Sequence, residues 1–344
     1  MHYLVTGGAG FFGGILKHEI LKRGHTCVSI DLERDDDIHP QLVSVQGDIR
    51  DRALMERLCS GNKFDAVMHC AAILAHAVND KQFLWSCNVE GTRSVAECAK
   101  RFGIRKIVFI SSNCLWGIPI GRPIHEDDPP APVEIYGRSK WEGERILQGF
   151  APDVDSVIIR CPTIIDEGRL GLLSILFEFI DEGRKVWVIG GGKNRYQFIY
   201  AADLVDACLR SATYSGSAVF HIGSDNVPTF RECYKSIIAR AGTASRVASL
   251  PRFPALLLMR LCYRLGLSPL GPYQYKMIAE DAVFDTTRIK RELGWSPTVS
   301  NTEMLWRAYR FYHDHRREIT ERKGVSAHKQ AAKMGIIRLL KWIS

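Results

Sequence analysis

The chain has 344 residues, of which 46% are hydrophobic and 24% charged, and its net charge at pH 7 is +8. This composition excludes a disordered, collagen-like or coiled-coil protein and allows one large domain or two unequal ones. Much of the positive charge lies beyond residue 315, in a tail with no recognisable nucleic-acid-reading element, so we expect no nucleic-acid partner.

Neither a leader segment nor a membrane span is predicted. Residues 1–6 lead directly into a glycine-rich turn, and no apolar run approaches the roughly 18 to 20 residues that cross a bilayer. The 10 cysteines are spread along the chain without a C-x-x-C pair or a Cys/His cluster. We therefore expect a cytoplasmic protein without disulfides or a metal site.

Short β-branched runs alternate with amphipathic helical stretches from the first residue to about residue 162. The expected strands are Tyr3 to Thr6, Cys27 to Asp31, Val43 to Gln46, Ala66 to Cys70, Lys106 to Ser111 and Val157 to Arg160. This alternation is typical of βαβ units and a parallel sheet. The expected fold class is therefore α/β, a Rossmann-like doubly wound parallel sheet.

Beyond residue 162 the pattern becomes irregular, and two segments suggest contact with a surface. Residues 251–270 are strongly apolar but too short and too rich in arginine to span a bilayer. They are interpreted as a lid helix, a docking surface or an ordinary core helix. The end of the chain, 334–343, is basic and amphipathic. It is a disordered end, a partner-docking segment or, like 251–270, a peripheral contact at the inner face of the membrane.

A glycine pattern lies between the first predicted strand and its helix. Gly7, Gly10 and Gly13 follow one another at three-residue intervals, which gives the backbone freedom in φ and lets it approach a pyrophosphate at the helix N-terminus. Asp31 ends the second predicted strand 18 residues later. A carboxylate there binds both ribose hydroxyls and repels a 2′-phosphate, so the predicted cofactor is NAD.

These elements divide the chain into parts. Residues 1–165 are expected to form the NAD-binding Rossmann domain, to which 195–225 return. Residues 166–194 and 226–315 form a smaller C-terminal substrate-binding region, and 316–344 form a basic tail with an amphipathic end.

Tyr136 is the one tyrosine with a lysine four residues later, Lys140, and on a helix both side chains lie on one face. A cation beside a phenol lowers its pKa, so we expect the phenolate to act as a base near neutral pH. Ser111 and Ser112 end the fifth predicted strand at the carboxyl edge of the sheet, where open α/β folds bind ligands. A serine hydroxyl there can hold the substrate oxygen.

With these motifs, Asp48, the run His-Cys-Ala-Ala at 69–72 and the run Asn-Val-Glu-Gly-Thr at 88–92, the sequence resembles the extended short-chain dehydrogenase/reductase superfamily. The NAD-dependent epimerase/dehydratase branch is the nearest match. The resemblance also covers 197–209 and 284–295. It implies that Ser112, Tyr136 and Lys140 are catalytic and that the protein is a homodimer formed through helices that include the helix of Tyr136.

The resemblance also implies a cofactor site drawn from the glycine loop and the strand ends. Its members are Gly7, Gly10, Phe11, Phe12, Gly13, Asp31, Asp48, Ile49, Ala71, Ala72, Asn88, Ser111, Tyr136, Lys140, Cys161 and Pro162. In the implied reaction Tyr136 removes a hydroxyl proton while hydride passes from the same carbon to the nicotinamide, and Lys140 also holds the nicotinamide ribose.

Several positions depart from the family pattern. Cys114 stands where dehydratases and decarboxylases carry an acid, so we do not expect those reactions; it is either a packing residue or an acid or base beside a ketone. Tyr196 stands where nucleotide-sugar epimerases grip the diphosphate with arginine, and 277–284 contain no second arginine. Arg169 and Arg195 are candidate replacements or solvated surface charges.

The sequence favours an NAD-dependent epimerase that transiently oxidises a secondary hydroxyl, at carbon 4, of a nucleotide-linked or polyprenyl-diphosphate-linked sugar in polysaccharide biosynthesis. The alternative is an NAD-dependent dehydrogenase of a 3β-hydroxysteroid-like or other secondary alcohol, because 251–270 and 194–200 resemble relatives with such substrates. A non-catalytic NAD-binding sensor is disfavoured because the three catalytic residues are intact.

Overall fold

Seven parallel strands form a central sheet. The computed structural model describes residues 1–74, 78, 80–117, 119–169, 171, 173–267 and 277–321. The sheet contains β1 (His2–Thr6), β2 (Thr26–Asp31), β3 (Leu42–Gln46), β4 (Ala66–His69), β5 (Lys106–Ser112), β6 (Asp155–Cys161) and a later strand, β10 (Ala218–His221), in the order β10-β6-β5-β4-β1-β2-β3. The expected α/β, Rossmann-like doubly wound sheet is confirmed, and its order reverses between β1 and β4.

Within the described ranges the α-helices cover both faces of the sheet and build a second region. They are α1 (Phe11–Lys22), α2 (Arg52–Ser60), α3 (Lys81–Trp85), α4 (Gly91–Arg101), α5 (Ile135–Gly149), α6 (Leu173–Asp181), α7 (Ala201–Ala212), α8 (Phe230–Ala241), α9 (Arg252–Arg264), α10 (Thr287–Leu293), α11 (Asn301–Asp314) and α12 (Arg316–Glu321).

The apolar spacing of the helices decides which face of the sheet each one covers. On one face, Leu16 and Ile20 of α1 pack with Leu204 of α7. On the other face, Met55 of α2 and Val95 of α4 pack in a separate cluster that also includes Leu147 of α5. The carboxyl ends of β1, β4 and β5 therefore open between two covered faces, where such folds bind their ligands.

α3 and α4 belong to one continuous helix. They are joined by a π-helical turn, Ser86–Glu90, so residues 81–101 are helical throughout. Such turns are rare and occur frequently at functional sites. This turn carries Asn88, one of the residues predicted to bind the cofactor.

The second region has its own apolar core and two small parallel pairs of strands. β7 (Thr163–Ile165) pairs with β9 (Phe198–Tyr200), and β8 (Lys185–Ile189) pairs with β11 (Arg246–Leu250). Phe177, Ile237 and Met304 are fully buried in the core between α6, α8 and α11. Residues 195–225 were predicted to return to the Rossmann domain, and β10, which lies in this range, pairs with β6 of the central sheet.

In the part of the chain that the structure describes, no helix is long and apolar enough to cross a membrane. Two segments were predicted to contact a surface. The segment 334–343 lies outside the described residues, as does most of the predicted basic tail, and the segment 251–270 is described only up to residue 267.

Candidate active site

The glycine loop between β1 and α1 is tightly folded. Gly7 has φ +77°, a conformation that favours glycine, and a Cβ there would lie 2.7 Å from the backbone nitrogen of Ala71. A Cβ on Gly13 would lie 2.0 Å from the carbonyl oxygen of Gly7. Gly10 immediately precedes α1, where Phe11 and Phe12 are buried. The loop thus presents bare backbone at a helix N-terminus, as a pyrophosphate requires.

Asp31 lies beside this loop at the end of β2. Its carboxylate accepts hydrogen bonds from the backbone nitrogens of Ala9 and Glu33, both at 3.0 Å. A carboxylate has about four lone-pair sites, so Asp31 retains acceptor capacity for ribose hydroxyls. The glycine cradle and Asp31 together fit a dinucleotide without a 2′-phosphate.

Asp48 is held by Arg50, a partner that was not predicted from the sequence. The Arg50 side chain donates to both carboxylate oxygens, with Nε 3.0 Å from each, and it also donates to Ser86 Oγ at 3.1 Å. The hydrogen bond from Arg50 holds the pKa of Asp48 below its usual range. Ile49 is buried beside Gly91, where a Cβ would lie 2.6 Å from the Ile49 side chain. Asp48 and Ile49, both predicted to bind the cofactor, are therefore fixed against the π-helical turn.

Ser112 and Tyr136 meet because α5 comes very close to the turn after β5. A Cβ on Gly137 would lie 2.3 Å from the carbonyl oxygen of Cys114, so glycine at this position permits the approach. Ser112 Oγ accepts from the backbone nitrogen of Cys114 at 3.1 Å, and the Ser112 hydroxyl acts to lower the pKa of Tyr136. The structure thus brings two of the three predicted catalytic residues close together.

Lys140 lies one turn further along α5 and is buried. Its Nζ lies 4.5 Å from the centroid of the Phe109 ring, and burial lowers its pKa to about 8. The expected effect on Tyr136 is wrong in direction: burial raises the pKa of Tyr136 above its ordinary value. The two influences that lower it are the charge of Arg169 and the hydrogen bond with Ser112.

Asn88 ties the strand ends to α5. Its Nδ2 donates to Ile73 O and to Ser139 Oγ, both at 3.0 Å, and its Oδ1 accepts from Ile73 N at 2.7 Å. Ser139 Oγ in turn donates to the carbonyl oxygen of Tyr136. The neighbouring Ala71 donates its backbone N–H to Thr6 Oγ1 at 3.3 Å. Asn88 therefore fixes α5 relative to the segment that contains Ala71 and Ala72.

A buried charge pair between Glu144 and Arg160 was not predicted from the sequence. Glu144 accepts from Arg160 through both oxygens, with Nη2 to Oε2 at 2.8 Å, and from the hydroxyl of Ser111. The side chains are 0% and 4% exposed. Arg160 also packs over the Trp116 ring at 5.2 Å. The signal was available, because Glu144 follows Tyr136 and Lys140 at four-residue spacing.

A pocket opens next to these residues, between the turn after β5 and residues 277–284. Asn113, Trp116, Pro162, Tyr196 and Glu280 are among the residues that line it. Tyr196 is buried, and its hydroxyl accepts from Asn113 Nδ2 at 2.7 Å. Cys161, which precedes Pro162, donates its thiol to Ser111 O, and burial raises its pKa to about 12.

The two candidate arginines lie in different surroundings. The Arg169 guanidinium lies 5.2 Å from the Phe11 ring centroid. Burial lowers its pKa to about 10, against the opposing influence of Cys161, Tyr136 and Tyr196. Arg195 is exposed, and its guanidinium donates to the carbonyl oxygen of Val227. Of the two, Arg169 is the cation that acts on Tyr136. Cys114 is half-buried and also influences Tyr136 electrostatically.

Residues 3–223 match the family model described as "NAD dependent epimerase/dehydratase family", which is more than half of the chain. The chain belongs to the NAD-dependent epimerase/dehydratase family. This confirms the sequence-based resemblance: the protein is an enzyme of the extended short-chain dehydrogenase/reductase type, and its cofactor is NAD. The glycine cradle and Asp31 are the features of this family member that fit the cofactor.

Relatives within the family extend over most of the chain. The uncharacterized protein y4nG of Sinorhizobium fredii is 36% identical over 339 residues, which cover 98% of this chain and 85% of that protein. The UDP-glucose 4-epimerase of Mycolicibacterium smegmatis is 28% identical over 331 residues, covering 91% and 98%. Among solved structures, the UDP-glucose 4-epimerase of Thermotoga maritima with UDP-glucose has a TM-score of 0.75 at 22% identity, covering 91% of this chain and 99% of that one. This last similarity is one of fold.

Proposed function

We propose that this family member is a 4-epimerase of a hexose carried on a nucleoside diphosphate or a polyprenyl diphosphate. The observation that carries the proposal is the close approach of α5 to the turn after β5 at Gly137, which sets Tyr136 near Ser112, with the Arg169 charge acting on the same phenol. The names of the relatives, UDP-glucose 4-epimerases, support carbon 4 and a uridine diphosphate carrier.

When bound, NAD supplies the hydride acceptor and donor. Tyr136 exchanges the proton of the substrate hydroxyl, taking it in one direction and returning it in the other. The phenolate form is favoured by Arg169 and by the Ser112 hydroxyl and is opposed by burial. Ser112, which already accepts from Cys114 N, is thereby oriented to donate its own proton. Lys140 would hold a ribose hydroxyl from its place beside Phe109.

Arg169 would hold the substrate diphosphate. The family arginine at position 196 is replaced by Tyr196, whose hydroxyl is engaged with Asn113. Arg169 is a guanidinium whose pKa burial lowers to about 10, so an anion beside it offsets the cost of its desolvation. A planar guanidinium also matches the geometry of phosphate oxygens. Dehydration is disfavoured because Cys114 replaces the acid that this reaction needs.

The alternative function, a dehydrogenase of a sterol-like alcohol, is favoured by one feature. The helix α9 is apolar and exposed, and its Arg252 forms an ion pair with Glu280 of the pocket. An apolar substrate entering this pocket would find apolar surface at its rim. A polyprenyl carrier would use the same surface without requiring net oxidation.

The test is to incubate the protein and NAD with UDP-glucose, an undecaprenyl-diphosphate sugar and a 3β-hydroxysteroid, following NADH absorbance and the product by NMR. An inverted carbon without accumulated NADH supports the epimerase and identifies its carrier. A ketone formed with stoichiometric NADH supports the dehydrogenase instead. Inversion at a carbon other than 4 would contradict the proposed position.

A further inference from the structure

α9 presents an apolar face to solvent. Phe253, Leu257, Leu261 and Leu265 follow one another at four-residue intervals, so they lie on one side of the helix or directly after it. Their exposed fractions are 79%, 58%, 53% and 62%. Among the residues of α9 itself, Cys262 alone is buried. Single exposed apolar residues are ordinary, but a contiguous exposed stripe marks an interaction surface.

The charged residues of α9 itself have one sign. Arg252, Arg260 and Arg264 lie on α9, and residues 251–267 contain no aspartate or glutamate. Arg260 and Arg264 are exposed next to the apolar stripe. A helix with apolar side chains on one side and arginines beside them has the composition of helices that lie in the headgroup region of a membrane.

The position of α9 relates this surface to the pocket. Arg252, its first residue, forms an ion pair with Glu280, which lines the pocket together with Met277. α9 directly follows β11, whose pairing with β8 anchors it to the second region. A surface that binds α9 therefore lies next to the rim of the pocket.

We propose that α9 docks on an anionic lipid membrane and holds the pocket rim at its surface. The 13 residues of α9 extend about 20 Å, less than the roughly 30 Å of a hydrocarbon core, so the helix lies along the surface. Anionic headgroups complement the arginines, and the apolar stripe enters the acyl boundary. This inference is independent of the reaction proposed above.

Two occupants from the chain itself are disfavoured by charge. A second copy of α9 would bring arginines against Arg260 and Arg264. The amphipathic segment 334–343 would bring Arg338 and Lys341 and carries no acidic residue. The repulsion between like charges would destabilise either of these two interfaces. Anionic lipid is the occupant whose charge and apolar character both match.

The test is vesicle flotation of the full-length protein with NAD bound. We expect binding to phosphatidylcholine vesicles that contain about 40% phosphatidylglycerol and weaker binding to phosphatidylcholine alone or at high salt. Leu257→Glu with Leu261→Glu should lower the bound fraction about tenfold or more, since charged groups replace the inserted leucines. The matched control is Ile38→Glu with Val43→Glu, at residues 99% and 59% exposed elsewhere, which should bind as the wild type does.

A second variant and a second measurement assign the contact to α9. Arg260→Gln with Arg264→Gln should also lower binding and reduce its dependence on salt, even if the glutamate variant does not fold. Hydrogen exchange of the wild type on vesicles should show protection within 252–264. Absence of vesicle binding, protection confined to 334–343, or a dimer that dissociates in the glutamate variant without lipid would each overturn the proposal.

Discussion

α5 and α9, helices of 15 and 13 residues, depart from the usual amphipathic pattern in opposite ways. α5 buries polar groups, among them Lys140 and Glu144, whereas α9 exposes Phe253 and Leu257. Glu144 of α5 is paired with Arg160 and Lys140 lies over the Phe109 ring, while the exposed apolar groups of α9 face solvent. Both departures from the usual amphipathic pattern are costly in isolation. The comparison therefore agrees with the two proposals, which place chemistry in α5 and association in α9.

The largest effect is expected from Tyr136→Phe on α5. Removing the hydroxyl eliminates proton exchange with the substrate, and we expect kcat to fall by about 10² to 10⁴-fold. NAD binding, followed by protein fluorescence, should be retained because the ring remains. Tyr214→Phe is the matched control, since Tyr214 donates to Glu292 on α10 and should leave kcat unchanged. Full activity in the Tyr136 variant would contradict the proposal that this hydroxyl exchanges the substrate proton.

Glu144→Ala should destabilise the protein by about 3 to 5 kcal/mol, because it leaves the buried Arg160 charge without its carboxylate. Leu257→Ala on α9 is the comparison. Its side chain is exposed, and the change should stay within about 0.5 kcal/mol. Urea unfolding at pH 7 measures both. A similar loss of unfolding free energy in both variants would contradict the contrast between the buried, paired Glu144 and the exposed Leu257.

Gly137→Ala tests the close approach of α5 to the turn that carries Cys114. The added Cβ would lie 2.3 Å from the Cys114 carbonyl oxygen, so Tyr136 and Ser112 must separate, and we expect kcat to fall about 10²-fold. Gly149→Ala, at the end of the same helix, meets nothing within 4 Å. It should retain activity and gain stability. A Gly137 variant with unchanged kcat would show that the contact does not position Tyr136.

The smallest expected effect is on the pH dependence of stability. Burial lowers the pKa of Lys140 to about 8, so between pH 8 and 10 the unfolded state binds more protons than the folded state. Stability from this group therefore rises with pH, by at most about 1.4 kcal/mol per pH unit. The difference in unfolding free energy between wild type and Lys140→Met should move in favour of the wild type over this range. A difference that stays constant, as expected for Leu257→Ala, would contradict the lowered pKa.

The sequence predicted the central sheet well because its signals are local. Each of the six expected strands is present to within two residues, since buried parallel strands are continuous β-branched runs. The glycine loop and the Tyr136, Lys140 pair likewise depend on short spacings. The pairings of β7 with β9 and β8 with β11 were not predicted, because they join segments far apart in the chain and carry no local signal.

The site was predicted less completely for the same reason. The partners of Asp48 and Glu144 became evident only in the structure, although Arg50 is two residues from Asp48. The pKa of Tyr136 is raised by burial against the opposing charge of Arg169, which lies 33 residues later in the chain. For α9, the sequence indicated an apolar helix, but periodicity alone cannot tell a buried face from an exposed one.

The number of residues in the π-helical turn Ser86–Glu90 sets how α4 is rotated about the helix axis relative to α3. A π turn takes up one more residue than an α turn, so α3 and α4 are out of phase with each other. Deleting one residue there would rotate one half about 100° relative to the other. Asn88 could then not bond Ser139 while Thr92 kept its contact with His69. Insertions and deletions in this turn should therefore be far less tolerated than substitutions.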